Sequence, residues 1–316
     1  MDKKRLTAYF LLLVTAALWG IAAPIVKYTL TFIDPISFLF YRFILVSLLF
    51  SVPFLMAIRK KPLSLRQLIK LGGIGAIGGP ITLLLIFFGA DRTSSLNASL
   101  IIAMAPVLVV LSGAWFLKEK VTKRERLGLT IALGGTVLTV IQPLIAGNGF
   151  ARSHLWGNLL LLIHNFVWTT YCILIKKQSD KHSPLVLTAI TFFSGVVILT
   201  PLFLNQKALY NPQRFPYQAP EPPLRVATPD PKAIPGILYM SIFSSVIAYT
   251  THNWGMSLIE ASEGTIFTYL QPVFAAPLAF FWLDEKMSLP FWLGAGLIGL
   301  GVFLAESRSE IIKGKS

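Results

Sequence analysis

Cysteine is almost missing from this chain. Its 316 residues hold one, Cys172, which excludes an intrachain disulfide and a cysteine-built metal cluster. Charge is also scarce. Asp, Glu, Lys and Arg together make up 13% of the residues, where a soluble domain would carry about a quarter. Acidic groups are the scarcer kind, 14 against 28 Lys and Arg, which leaves a net charge of +14. No Walker A run, zinc-ligand spacing or nucleophile elbow occurs, so no motif supports ATP-driven transport within the chain or hydrolytic catalysis. No metal and no cofactor is expected.

What the chain has instead is apolar length. Apolar residues are 54% of the total and the mean hydropathy is +0.68. The charges gather in short clusters between apolar runs of about twenty residues, the length that crosses a hydrocarbon core of about 30 Å. The chain reads as an all-α integral membrane protein whose first partner is the lipid bilayer. Its start, Met1-Asp2-Lys3-Lys4-Arg5 before an apolar run from Leu6 to about Val26, resembles a secretory signal, but the run is too long for one. It is read as an uncleaved first span. Ten spans are placed at roughly 6–26, 36–58, 68–90, 96–117, 126–146, 156–175, 185–204, 235–257, 263–283 and 290–306.

Lys and Arg then orient the chain. With the N-terminus inside, nineteen fall on the cytoplasmic side and eight outside, with Arg42 left within span two. That imbalance follows the positive-inside rule with both termini cytoplasmic, in the cell (inner or plasma) membrane. The basic charge is thereby explained by topology, and nucleic acid is not an expected partner.

One stretch occurs twice. Pro106-Val107, Glu119 and Lys120 return as Pro272-Val273, Glu285 and Lys286, each 166 residues later. Earlier landmarks align at an offset of 149: Trp19 with Trp168, Lys27 with Lys176, Pro35 with Pro184. The difference is extra sequence in the Pro-rich segment 205–234, which reads as an extended outer loop. The repeats divide the chain at 1–150 and 151–316. Five spans per repeat is an odd number, so the second copy must cross the membrane in the opposite sense. Inverted repeats of this kind mark many secondary transporters, with the solute site at the repeat interface near the midplane.

The two five-span halves, the Pro-Val of each fourth span, the acidic-basic pair that closes it and Arg42 within Phe40-Tyr41-Arg42-Phe43 together resemble the drug/metabolite transporter superfamily, most closely its EamA type. The resemblance implies efflux, or less often uptake, of small metabolites such as amino acids by alternating access. It implies a central cavity lined by the first, third and fourth helices of each half, and drive by protons or exchange.

Polar groups at membrane depth are costly unless they pair or face water, so they nominate the site. Tyr249, His252, Asn253 and Met256 recur at helical spacing on one face of span eight, and His164, Trp168 and Tyr171 do the same in span six with Asn165 beside them. Trp19 faces them from the first half, and Tyr269 and Gln271 flank Pro272. Such a wall suits a small amphiphilic solute; each group also has the simpler role of bonding a neighbouring helix. Glu263, His252 and His164 are the candidate proton carriers. Glu263 also fits a plain helix-start charge facing water. Pro106 and Pro272 each remove a helical hydrogen bond and are candidate hinges. Arg42 can bridge helices, reach outward or hold a carboxylate or phosphate.

Gly73-Ile74-Gly75-Ala76-Ile77-Gly78 spells a dinucleotide fingerprint, but no strand precedes it and it lies in hydrocarbon. Gly75 and Gly79 are read as a close-packing pair, and so are the glycines of 294–301. Asn97-Ala98-Ser99 spells a glycosylation sequon too near the membrane to serve. Alongside a proton- or exchange-coupled exporter, the residues leave open a sugar-phosphate or nucleotide-sugar antiporter, and a non-transporting membrane protein.

Overall fold

The computed structural model describes residues 3–92, 98, 101–102, 105–112, 115–116, 122–145, 152–205, 229–283 and 289–306. All regular structure among the described residues is helical. Seven helical stretches among them are long and apolar enough to cross a membrane. Asn97, the Glu119-Lys120 and Glu285-Lys286 pairs and most of the Pro-rich loop lie outside the described residues.

Helix α1 runs Lys3–Thr29 and α2 Pro35–Lys60. Helices α3 (Leu65–Ala76) and α4 (Thr82–Arg92) are joined by a widened π turn at Ile77–Ile81. Then come α5 (Ala105–Ser112), α6 (Lys123–Ile145), α7 (Arg152–Ser179) and α8 (Pro184–Leu204). A 3₁₀ turn, Pro231–Ala233, leads into α9 (Ile234–Ser241), a second π turn at Ile242–Ile247 and α10 (Ala248–Leu258). Helix α11 (Ala261–Thr265), a 3₁₀ stretch at Ile266–Leu270, α12 (Gln271–Leu283) and α13 (Leu289–Glu306) complete the chain.

The helix starts are written locally. Asp34 accepts from the Ser37 N–H ahead of α2, and Ser183 accepts from the Val186 N–H ahead of α8, each followed by a proline whose missing N–H is one the first turn leaves unpaired anyway. Asp34 and Ser183 are 149 apart. Ser64 and Gln67 form a capping box on α3, and Asp230, 166 residues after Ser64, accepts from the Lys232 N–H. The two copies thus share caps as well as landmarks.

The breaks were not drawn in the sequence. Spans 68–90 and 235–257 read there as uninterrupted helices, and 263–283 as one helix with a candidate hinge at Pro272. The first two contain the π turns, which occupy corresponding positions in the two repeats. The third tightens into 3₁₀ geometry just before Pro272, where the Gln271 N–H bonds back three residues to Thr268 O. Pro80 accounts for the first break, since its ring removes a donor from the ladder. The second has no proline, and Ser245 Oγ bonds Met240 O five residues back instead.

One core unites α1, α2, α4, α7, α8 and α10, with Phe43 and Phe192 in tilted ring contact at 5.0 Å. A smaller one joins α6 and α13 to the 3₁₀ stretch through Leu129, Ala132, Tyr269 and Ile298. Arg5 meets Glu263, Lys176 meets Ile259 and Lys61 meets Lys181 at one end of the bundle. At the other end Lys232 lies over the Phe32 ring and Tyr28 packs on Trp282.

The glycine pair behaves as the sequence reading expects. A Cβ on Gly75 would come within 2.8 Å of Thr191 Cα, and one on Gly79 within 2.9 Å of Thr191 Cγ2. The later run is mixed. Gly294 O approaches Gly135 and Gly301 packs on Gly128 and Ala132, but a Cβ on Gly296 or Gly299 would meet open space. Close helix approach therefore explains two of those four glycines. Gly75→Ala should force α3 off α8 and cost about 1–3 kcal/mol, the usual range for overpacking. Gly73→Ala, with nothing within 4 Å, should be neutral or stabilising. Unfolding midpoints of the two purified variants in detergent check the contrast.

Candidate functional site

A cavity lies among α1, α2, α4, α5, α7, the second π turn and α12. It offers about 140 Å³ to the centres of water molecules, room for roughly ten waters or a small metabolite at 10–15 Å³ each by that measure. Its lining runs from Trp19 to Lys27 on α1 and from Thr82 to Ala90 on α4, so it lies towards the end of the bundle away from Glu263.

Trp19 organises the wall. Its ring meets Trp168 edge-on at 5.5 Å, Tyr249 at 5.3 Å and His252 at 5.1 Å. Edge-to-face aromatic pairs of this kind hold each other's orientation. The two π turns hold the rest. Trp19 Nε1 donates to Ser244 O at 3.0 Å, and Tyr249 Oη donates to Gly78 O at 3.2 Å. Gly78 and Ser244 are 166 residues apart, so equivalent carbonyls of the two repeats each receive an aromatic donor from the opposite half. A widened turn takes carbonyls out of the helical ladder, and in hydrocarbon these must be met from within the protein.

Behind the aromatics is a buried polar chain. Tyr171 Oη donates to Asn253 Oδ1 at 3.3 Å, Asn253 Nδ2 donates to Thr188 Oγ1 at 2.9 Å, and His252 Nδ1 lies 3.4 Å from Asn253 Oδ1. His164 Nδ1 faces Thr82 O at 3.3 Å; because a carbonyl only accepts, that nitrogen carries the proton. Asn165 Nδ2 donates to Ile101 O.

Of the residues nominated from sequence, Trp19, His164, Trp168, Tyr249 and Gln271 line the cavity. Tyr171, His252 and Asn253 stand behind it as supports, and Asn165 ties α7 to the chain at Ile101. Tyr269 does not approach it. Tyr269 is fully buried in the smaller core, because the 3₁₀ stretch rotates it towards α6 and α13 while Gln271 and Thr268 face the cavity. Pro106 and Pro272 are buried, each the second residue of its helical segment.

Glu263 departs from the picture of a helix-start charge facing water. It is 4% exposed, bound by Arg5 Nη2 at 2.9 Å and by the Tyr9 hydroxyl, with Tyr9 packed on Phe267. At the same end Lys176 Nζ donates to Met256 O and Ile259 O. Its counterpart Lys27 donates to Ala90 O at 3.4 Å, and Ala90 is the counterpart of Met256. Arg5 and Tyr9 carried no sequence signal as partners of Glu263, since 254 residues or more separate them from it. Arg42, Lys27 and Thr82 also line the cavity. Arg42 was raised from the sequence as able to hold a carboxylate or phosphate, and the matching of Lys27 to Lys176 was a hint for Lys27; Thr82 had none.

A bundle of membrane-crossing helices around an internal cavity of this kind defines a multi-pass membrane protein with a place for a small solute. The chain belongs to the EamA-like transporter family, which it matches over residues 6–141 and 155–306. It is 28% identical to an uncharacterized transporter of Bacillus subtilis, over 98% of this chain and 97% of that one. It is 27% identical to an uncharacterized transporter of Archaeoglobus fulgidus, over 96% and 98%. A protein of Streptantibioticus cattleyicolor named "Probable terminal-alkyne amino-acid exporter" is 25% identical over 77% of this chain and 75% of its own. A solved crystal structure shares the fold with a TM-score of 0.71 at 18% identity, covering 95% of this chain and 96% of the other. The family and these relatives are transporters, not enzymes.

The Arg5–Glu263 pair makes a quantitative check possible. In a double-mutant cycle of Arg5→Gln and Glu263→Gln, a coupling energy of about 1–3 kcal/mol is expected from unfolding midpoints. A coupling near zero would mean that water screens the pair and that it does not hold this end of α1 against α11.

Proposed function

We propose that this chain is a secondary transporter that moves a small amphiphilic metabolite by alternating access, an exporter of an amino acid or related compound coupled to protons or exchange. The observation that carries it is the cavity itself, walled by aromatics of both repeats and lying towards the end of the bundle away from Glu263. The family supports transport, and the named exporter among the relatives supports an amino-acid-like solute. His164 and His252 on or behind the wall are the proton carriers of this reading; the ion-paired Glu263 serves it as a clasp between α1 and α11. Pro106 and Pro272 are its hinges.

The architecture proposed is ten spans in two inverted five-helix repeats, 1–150 and 151–316, in the cell membrane with both termini cytoplasmic. It is supported by matched caps, π turns and lysine contacts at the two offsets, and by the gathering of Arg5, Lys61 and Lys181 at one end with Lys232 at the other. On that topology the cavity lies in the outer half of the bundle. An antiporter of sugar phosphates or nucleotide sugars is the second reading, favoured by Lys27 and Arg42 on the cavity wall.

Two measurements test this. Reconstituted protein should show saturable uptake of a labelled amino acid or related metabolite, and Trp168→Ala or His252→Ala should reduce it at least about tenfold, equivalent to about 1.4 kcal/mol, while the protein still folds. An inert protein across a broad metabolite panel would sink the transporter. For topology, a membrane-impermeant maleimide applied to intact cells should label Lys232→Cys and spare Lys61→Cys, with the buried Cys172 silent. The reverse pattern would invert the orientation.

A further inference from the structure

Arg42 is a buried cation without a counter-charge. It is 1% exposed, it lines the cavity, and among the described residues no Asp or Glu shares that lining and no carboxylate pairs with it. Removing a guanidinium from water at membrane depth is costly unless hydrogen bonds and an opposite charge compensate it. Hydrogen bonds compensate one edge only. Nε donates to Ser245 Oγ at 2.7 Å and Nη2 reaches Ser244 Oγ at 3.4 Å. Ser245 gives its own proton to Met240 O, so its lone pairs are turned to the arginine. Among the described residues Nη1 has no hydrogen-bond partner.

A clamp between α2 and the second π turn explains Nε and Nη2. It does not explain a buried, unpartnered Nη1 on a residue that lines the cavity. The serines fix the guanidinium plane, and what they leave free is its outer end: both Nη1 hydrogens and the second Nη2 hydrogen, the pattern that takes two oxygens of one anion side by side. The same π turn places the Trp19 indole beside it through Ser244 O. Lys27 adds positive charge to the same cavity. Thr82 Oγ1, buried on the cavity wall and also without a partner, offers a second polar contact.

Resting on the transporter reading above, we propose that Arg42 is the anchor for a single anionic group, a carboxylate or phosphate monoester, on the transported solute, whose apolar body lies against Trp19 and Trp168. The solute supplies the missing counter-charge. Arg42 is thus a specificity-determining residue, and neutral or cationic solutes of the same shape are excluded by the unpaired cation they would leave behind.

The test uses the full chain in phosphatidylcholine vesicles and in nonionic detergent, with matched probes: valine and valinamide, phenylalanine and phenylalaninamide, indole-3-acetate and indole-3-acetamide, and phenyl phosphate. At least one acid should raise the unfolding midpoint and bind tenfold or more tightly than its amide. Arg42→Gln should abolish that preference and Arg42→Lys should restore part of it, which a purely structural arginine would not do. Should Arg42→Gln not fold, the wild-type acid-to-amide ratio and Arg42→Lys still decide. Phenyl phosphate outcompeting every carboxylate would assign the anion as a phosphate ester. Equal binding of acids and amides, or no binding by any probe, overturns the anchor. So does stabilisation that appears only when phosphatidylglycerol is added, since the anion is then a lipid headgroup. The two readings fail separately: passage of amides as fast as acids overturns the anchor alone, and acid binding without passage overturns transport and leaves Arg42 as an anion site.

Discussion

Hydrocarbon leaves no water to satisfy a backbone carbonyl, and that constraint shapes the centre of this protein. Two helices that pass the cavity widen into π turns at equivalent places, and a widened turn spoils the regular ladder of hydrogen bonds. Ser244 O is met by the Trp19 indole, and Gly78 O by the Tyr249 phenol. These two bonds place the aromatic wall. They also join the halves to each other, because each donor comes from the half that does not own the carbonyl. Around them the rings of Trp168 and His252 take their positions against Trp19, and the Tyr171–Asn253–Thr188 chain braces the wall from behind. The same turn that frees Ser244 O also presents the Ser244 and Ser245 hydroxyls to Arg42.

The two ends of the bundle differ in their side-chain pairs. On the Glu263 side, Arg5 and Tyr9 draw the start of α1 onto α11, and Lys176 closes the C-terminal carbonyls of α10. Positive charge near a helix C-terminus is favourable there, and its counterpart Lys27 does the same for Ala90 on α4. The scaffold is therefore shared between repeats down to single hydrogen bonds, while the chemistry exposed to the cavity is not. Leu83 stands where the second half has Tyr249, and Arg42 has no basic counterpart at the 149 offset, where the chain has Thr191. The matched contacts lie in the frame, and the differences lie among the side chains at the cavity.

Much of this was legible in the chain. Apolar run length, the Lys and Arg imbalance and the doubled Pro-Val stretch mark a repeated membrane protein, because hydrophobic thickness and charge act on sequence directly. Family membership bears out the membrane protein. The caps at Asp34, Ser64, Ser183 and Asp230 are equally local. Of the nominated residues, Trp19, His164, Trp168, Tyr249 and Gln271 line the cavity, while Tyr171, His252 and Asn253, counted on the same helix faces as Trp168 and Tyr249, stand behind it. The count failed where the helix was not regular: a 3₁₀ stretch at Ile266–Leu270 turns Tyr269 into a different core while leaving Gln271 on the wall.

Sequence alone thus determined the solvent, the repeat and the aromatic character of the site, since each follows from residue type and spacing along one axis. The pairing of Glu263 with Arg5 and Tyr9, the carbonyls of Gly78 and Ser244 with their aromatic donors, and the open end of Arg42 were decided only by the fold. The physical reason is that each depends on where a helix leaves its ladder and what a distant segment then brings within hydrogen-bonding reach. No periodicity in the chain records either.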